Sequence, residues 1–226
     1  MTRRRFPVGK TLLYVFMSLW ALTTIYPFIW VILNSFKPRG LIRSDTFSLP
    51  IGDKFTLENY VTAFKRVDIG TAYVNSIVIS GAVTVVVMVL AGLAAYAMVR
   101  YSFRLRGFLH SMIIASMMFP VFSTLIPVFR MESSWGIVNT GSIWLTRLSV
   151  VLPQIAGNLS FAIIVLMGFI RSLPVDLEEA AYLEGYNVYQ IFFRIIMPLA
   201  KPSFATVGIF TFLWSYNDLF FLFFFF

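Results

Sequence analysis

Apolar residues run through this chain in long blocks separated by short polar stretches. Charge is absent from Thr11 to Phe36 and again from Thr71 to Val99, each longer than the roughly 20 residues a helix needs to cross a bilayer. Three further blocks complete the pattern, which predicts an all-α, polytopic helical bundle with spans over 11–36, 71–99, 107–129, 149–170 and 203–226. In the second, Gly81, Ala91, Gly92, Ala94 and Ala95 would let a neighbouring helix approach closely. In the third, Pro120 and Pro127 each remove a backbone hydrogen bond and favour a kink, and Pro153 with Gly157 interrupts the fourth.

One polar island breaks this pattern, RSLPVDLEEAAYLEGYNVYQIFFRIIMPLAKP, from Arg171 to Pro202. It has the grammar of two short helices joined by a tight turn. Asp176 with Glu179 three residues on has the form of a capping box, and both carboxylates suit the positive end of a helix dipole. Gly185 can take the left-handed conformation that ends the first helix, and Asn187 with Gln190 can cap the second. Val188, Ile191, Phe192, Ile195, Ile196 and Leu199 then recur at helical spacing, with Pro198 and Pro202 expected to close the element. Such a unit is too short to span and too amphipathic for hydrocarbon, so it is expected at a membrane face.

Elsewhere the polar residues are short connectors. Lys37 to Gly70 carries Pro38, Pro50 and Gly52, and within it DKFTLENYVTAF could form a short amphipathic surface helix. Trp135, Gly136, Asn139 and Gly141 suggest an interfacial turn with Trp135 and Trp144 as aromatic anchors. A carboxylate within a span is expensive unless paired or wetted, which makes Asp218 a candidate pathway-lining residue beside Trp214 and Asn217; an interfacial position near a helix end would also suit it.

Composition agrees with the pattern. The 226 residues have a mean hydropathy of +0.83, 59% are hydrophobic and only 12% charged, far more apolar than a soluble domain. Net charge +8 could suggest nucleic acid, but the basic residues are scattered along loop ends, where anionic lipid headgroups explain them. With no cysteine and the single histidine His110, neither a disulfide nor a metal site is expected, and no cofactor is implied. Arg3, Arg4, Arg5 and Lys10 precede an apolar run too long for a signal-peptide core. Gly9-Lys10-Thr11 lacks the earlier glycine and the strand of a phosphate-binding loop.

Glu179-Ala180-Ala181, Glu184-Gly185, Ile191, Phe192, Ile195, Pro198-Leu199 and Pro202 resemble the EAA loop of permease subunits in binding-protein-dependent ABC importers, over some 24 positions. Glu184 stands where that pattern has Asp and keeps the charge; Tyr186 stands where it has Ala and adds bulk beside the turn. Asn34-Ser35-Phe36-Lys37-Pro38, Asn59-Tyr60, Asn75-Ser76 and the aromatic-x-x-Asn-Asp run at Trp214, Asn217 and Asp218 resemble the carbohydrate branch, in its maltose-type, six-helix form.

The resemblance implies a type I importer permease in which 171–202 is a cytoplasmic loop docking in an ATPase. Glu179, Ala180, Ala181, Glu184, Gly185, Phe192 and Pro198 would form the coupling element, with Glu179 paired to a basic residue of the ATPase. It implies a second permease subunit, two ATP-binding subunits and an external solute-binding protein as partners, in a bacterial-type inner membrane with the N-terminus cytoplasmic. By the same resemblance a sixth span is expected beyond the phenylalanine run that closes at Phe226. The basic residues lean the same way, ten on segments expected inside and eight outside.

No phosphate-binding loop or nucleophile–base pair can be assembled, so ATP hydrolysis is expected on a partner and the chain itself is not expected to be an enzyme. The substrate implied is a sugar or oligosaccharide; an amino acid, a polyamine or a glycerol phosphate is the alternative within the same class. An intramembrane protease would need a Ser-His or paired Asp constellation, and Glu178-Glu179 lacks the arginine of a Glu-Glu-x-x-x-Arg motif. A stand-alone secondary transporter would need internal repeats or several intramembrane charges, and Asp218 alone is thin support for one.

Overall fold

The structure, a computed structural model, describes residues 8–138 and 140–218. The regular elements of the described residues are all helical: α1 (Val8–Ser35), α2 (Arg39–Ser44), a 3₁₀ turn at Gly52–Lys54, α3 (Glu58–Arg66), α4 (Ile69–Arg100), α5 (Arg106–Ser116), α6 (Val121–Ser134), α7 (Ile143–Ser172), α8 (Asp176–Leu183), α9 (Val188–Ile191), a π turn at Phe192–Ile196, α10 (Met197–Leu199) and α11 (Lys201–Tyr216). They fall into two compact units that divide between Ala72 and Tyr73. Helices α1, α4 and α7 are long and apolar enough to cross a membrane. At 1.5 Å per residue the 32 residues of α4 reach about 48 Å, well beyond a hydrocarbon core of about 30 Å.

In the first unit the Lys37–Gly70 segment is folded rather than loose. The Lys37 side chain is fully buried, and its ammonium donates to the carbonyls of Asp45 at 3.1 Å and Thr46 at 2.8 Å. Asn59 donates to the carbonyls of Ser35 and Lys37, and the hydroxyls of Ser35 and Tyr60 lie 2.6 Å apart. The two short stretches Asn34–Pro38 and Asn59–Tyr60, more than 20 residues apart in sequence, thus meet. Phe36 closes the arrangement by stacking on Phe55 at 5.6 Å.

The second unit is built on rows of side chains four residues apart. On α4 the buried row is Ile79, Val83, Val87, Ala91 and Ala95; on α7 it is Val150, Gln154, Asn158, Ala162, Leu166 and Ile170; on α11 it is Ser203, Val207, Thr211 and Ser215. Small and β-branched residues dominate these rows, which lets backbones approach where lipid provides no hydrophobic drive for helices to associate. Gly92 is the tightest point. A Cβ there would lie 2.8 Å from the Phe204 ring and 3.0 Å from that of Phe192, so only hydrogen fits between them.

Three expectations are corrected. Over 107–129 the chain forms two helices, α5 and α6, with the break at Met117–Pro120; Pro120 stands at the α6 N-cap in extended conformation, where its missing N–H is harmless. Pro127 is carried inside α6. Pro198 does not end its helix. The chain widens into a π turn just before it, in which the Met197 N–H donates to the carbonyl of Phe192 five residues back, and this relieves the clash of a proline ring with the preceding turn. The helix ends at Leu199, and Pro202 opens α11 in its first turn, after a bend of 81°. Finally, Asp176 is the first helical residue of α8 and not its cap, a place held by Val175 without a side-chain bond. The expected turn at 135–141 has left-handed Gly136 and Gly141, while Asn139, Arg3 to Arg5 and residues 219–226 lie outside the described residues.

Replacing Gly92 by valine is expected to destabilise the purified protein by about 1–3 kcal/mol, the usual penalty for overpacking, read as a lower melting temperature in detergent. Gly81→Ala, with no atom within 4 Å of the added Cβ, should leave it unchanged or slightly raised.

Candidate functional site

The first turn of α8 carries Asp176, Glu178 and Glu179. Successive helical residues point about 100° apart, and the two glutamates separate accordingly: Glu179 is exposed while Glu178 is 4% exposed. A Schellman motif ends the helix. The Tyr186 N–H donates to the carbonyl of Ala181 and the Gly185 N–H to that of Tyr182, both at 3.0 Å, with Gly185 at φ +84°. That angle is why the position suits glycine. The bulk of Tyr186 is accommodated: the Arg194 guanidinium sits 5.8 Å over its ring. The second stub starts with the expected reciprocal cap, Gln190 N–H to the Asn187 side chain at 2.9 Å and Asn187 N–H to the Gln190 side chain at 2.8 Å.

The residues singled out in this loop divide by role. Glu179, Ala180, Glu184, Gly185 and Pro198 are exposed, whereas Ala181 and Phe192 are buried at 4% and 1%. The exposed set shares its surface with apolar side chains that have no cover among the described residues, above all Leu183 at 91% and Tyr189 at 68% exposure. An acidic, partly apolar ridge results.

Sequence reasoning missed what holds the ridge. The buried Glu178 carboxylate accepts from the Arg100 Nε at 2.5 Å and from the Tyr96 hydroxyl at 2.8 Å, and Arg100 also donates to the Leu173 carbonyl at 2.9 Å. The hydroxyls of Tyr101 and Tyr182 lie 3.0 Å apart. Tyr96 and Arg100 are one turn apart at the end of α4, a spacing that could have marked them as sharing a face.

A second feature lies between α6, α7 and α11. A cavity of about 490 Å³ is lined by Thr124, Val128, Pro153, Gln154, Asn158, Trp214, Ser215 and Asp218 among others. Gln154 organises its polar side, accepting from Ser215 at 2.5 Å and donating to Asp218 at 3.4 Å. Asn158 donates to the Gln154 carbonyl, and its own Oδ1 is buried without a partner among the described residues. Trp214 packs on Phe161, ring centroids 4.9 Å apart. Trp214 and Asp218 therefore share one cavity. Asn217 is exposed at the end of α11, its amide donating to the Leu213 carbonyl, and does not line it.

Residues 88–226 match the family model described as the binding-protein-dependent transport system inner membrane component. The chain belongs to this family. Among permeases similar to it are the diacetylchitobiose uptake system permease protein NgcG of Streptomyces coelicolor, 35% identical over 91% of this chain, and the trehalose transport system permease protein SugB of Mycobacterium tuberculosis, 33% identical over 86%. The melibiose/raffinose/stachyose import permease protein MelC of Bacillus subtilis is 30% identical over 85%. The chain spans 65%, 68% and 67% of the lengths of these three relatives. In structure it resembles a chain of a bacterial ABC transporter that imports the acidic polysaccharide alginate, with a TM-score of 0.77 at 23% identity, over 96% of this chain and 74% of that one. The likeness shows the fold of an ABC importer permease, a helical membrane bundle.

One buried acid stands apart from both features. Glu132 near the end of α6 is 1% exposed, its Oε2 has no hydrogen-bond partner among the described residues, and burial pushes its pKa up from 4.5 to about 7. A carboxyl whose pKa rises on folding binds its proton more tightly when folded, so stability is expected to fall as pH rises between about 4.5 and 7. Melting temperatures should be lower at pH 8 than at pH 5, and Glu132→Gln should shrink the difference.

Proposed function

We propose that this chain is a permease subunit of an ATP-driven importer for a sugar or oligosaccharide, supplying half of a translocation pathway and docking through 171–202 on a separate ATPase. The observation that carries the reading is the acidic, apolar-edged ridge of α8 and α9, whose exposed Leu183 and Tyr189 have no cover among the described residues. A ridge of this kind fits a groove with basic walls, Glu179 and Glu184 pairing there while Leu183 and Tyr189 fill apolar depressions. The three permeases named above, for diacetylchitobiose, trehalose and melibiose/raffinose/stachyose, favour a carbohydrate as the solute. The assembly would comprise a second permease, two ATP-binding subunits and an external solute-binding protein, with the N-terminus and 171–202 on the cytoplasmic side of a bacterial inner membrane. Hydrolysis would take place on the ATP-binding subunits, and the permease would convert their closure into a change of access.

The cavity between α6, α7 and α11 is the part of the pathway this reading assigns to the chain itself. Trp214 offers an apolar face, and Gln154, Asn158 and Asp218 offer hydrogen-bonding groups, the combination that suits a polyhydroxylated ring.

Two measurements test the reading. Glu179→Ala and Gly185→Val are expected to reduce co-purification of the ATPase and solute uptake by about tenfold or more, the second because φ +84° is strained for a β-branched residue; normal binding and uptake in both would refute docking through this loop. Asp218→Asn and Trp214→Ala should leave ATPase binding intact and lower uptake.

A further inference from the structure

We propose that Arg100 and Glu178 are positioning residues for coupling: their buried ion pair hands movement of the docked loop to α4. This rests on the docking role proposed above for α8, and it concerns residues outside the exposed ridge.

Gly92, Tyr96 and Arg100 form one row on α4, each a turn from the next, and that row meets the loop at Phe192, Glu178 and the Leu173 carbonyl. At Gly92 it admits the rings of Phe192 and Phe204. At Tyr96 it touches Phe192, with centroids 5.6 Å apart, and donates to Glu178. At Arg100 it binds both Glu178 and the Leu173 carbonyl, at the corner where α7 leads into α8. The two kinds of contact differ mechanically. Apolar faces keep their area while sliding, whereas a guanidinium held by a carboxylate and a carbonyl fixes distance and direction together. A push on the exposed Glu179 side of α8 therefore reaches α4 through its buried side, where Glu178 is 5% and Arg100 10% exposed in their side chains.

A buried pair replaced as a whole by apolar residues of similar volume is often neutral or stabilising, while loss of one partner leaves an uncompensated charge. The informative variant is thus the double replacement Arg100→Met with Glu178→Leu, with Tyr96→Phe as a milder second, which keeps the ring against Phe192 and removes the hydroxyl. Each would be built into the complete transporter, with both permeases, the ATP-binding subunits and the solute-binding protein, and reconstituted in liposomes. Three quantities would be read: ATPase co-purified per permease, ATP hydrolysed, and solute accumulated per ATP.

In the double variant ATPase binding and hydrolysis should persist while solute per ATP falls about tenfold, the scale of a lost coupling free energy of ordinary size; Tyr96→Phe should fall in the same direction by less. An unchanged ratio in the double variant would overturn the proposal. So would transport that falls only in step with ATPase binding, or a double variant that fails to assemble while Tyr96→Phe transports normally, since the pair would then be a packing support. Failure of the docking reading itself shows elsewhere, as ATPase binding that ignores Glu179 and Gly185.

Discussion

A carboxylate withdrawn from water must find compensating charge and hydrogen bonds, and in this protein Glu178 finds both at the end of α4. That requirement fixes much of the second unit. Because Glu178 must reach Arg100 and Tyr96, α8 can present only its other side, and the exposed ridge with Glu179 and Leu183 takes its orientation from a buried residue next to it. Arg100 in turn reaches the Leu173 carbonyl, so the corner after α7 is held by the same group. Isolated surface pairs such as Lys54 with Asp45, both more than 40% exposed in their side chains, carry no comparable constraint.

Apolar packing completes what the ion pair begins. Phe192 and Phe204 converge on Gly92 from the two sides of the 81° bend, so a glycine on α4 sets how closely the second stub and α11 can approach it. The polar rows deeper in the unit, Gln154 and Asn158 on α7 with Ser215 on α11, are tolerable for the converse reason: they bond to one another or to their own helix across a short gap.

How much of this was legible in the sequence depends on the range of the interaction involved. Helices whose signal is local were readable, as were the Gly185 turn and the Asn187–Gln190 cap, because a left-handed glycine and a reciprocal cap are decided within four residues. The cap of α8 slipped by one residue, since Val175 already has helical backbone angles before Asp176. The break at Met117–Pro120 was signalled by proline, but whether a proline kinks, ends or is absorbed by a helix depends on neighbours, as Pro120, Pro127 and Pro198 each demonstrate differently. At the candidate site the exposed residues were found through their motif, and Trp214 with Asp218 through the oddity of charge in an apolar block. Glu178, Arg100 and Tyr96 were missed because their meeting joins positions about 80 residues apart. Asn217, adjacent to Asp218, illustrates the limit of adjacency: one residue along a helix end is enough to turn a side chain out of the cavity.

The π turn at Phe192–Ile196 leaves a lasting imprint on how this loop can vary. A π turn is an α-helix that has taken in one additional residue, so removing one residue there would restore ordinary winding and rotate everything after it by about 100° relative to everything before. Phe192 would then keep its seat at Gly92 while Phe204 swung away from it, or the reverse. Insertions and deletions tolerated in most connectors are therefore barred from this stretch, whose length is as constrained as its composition.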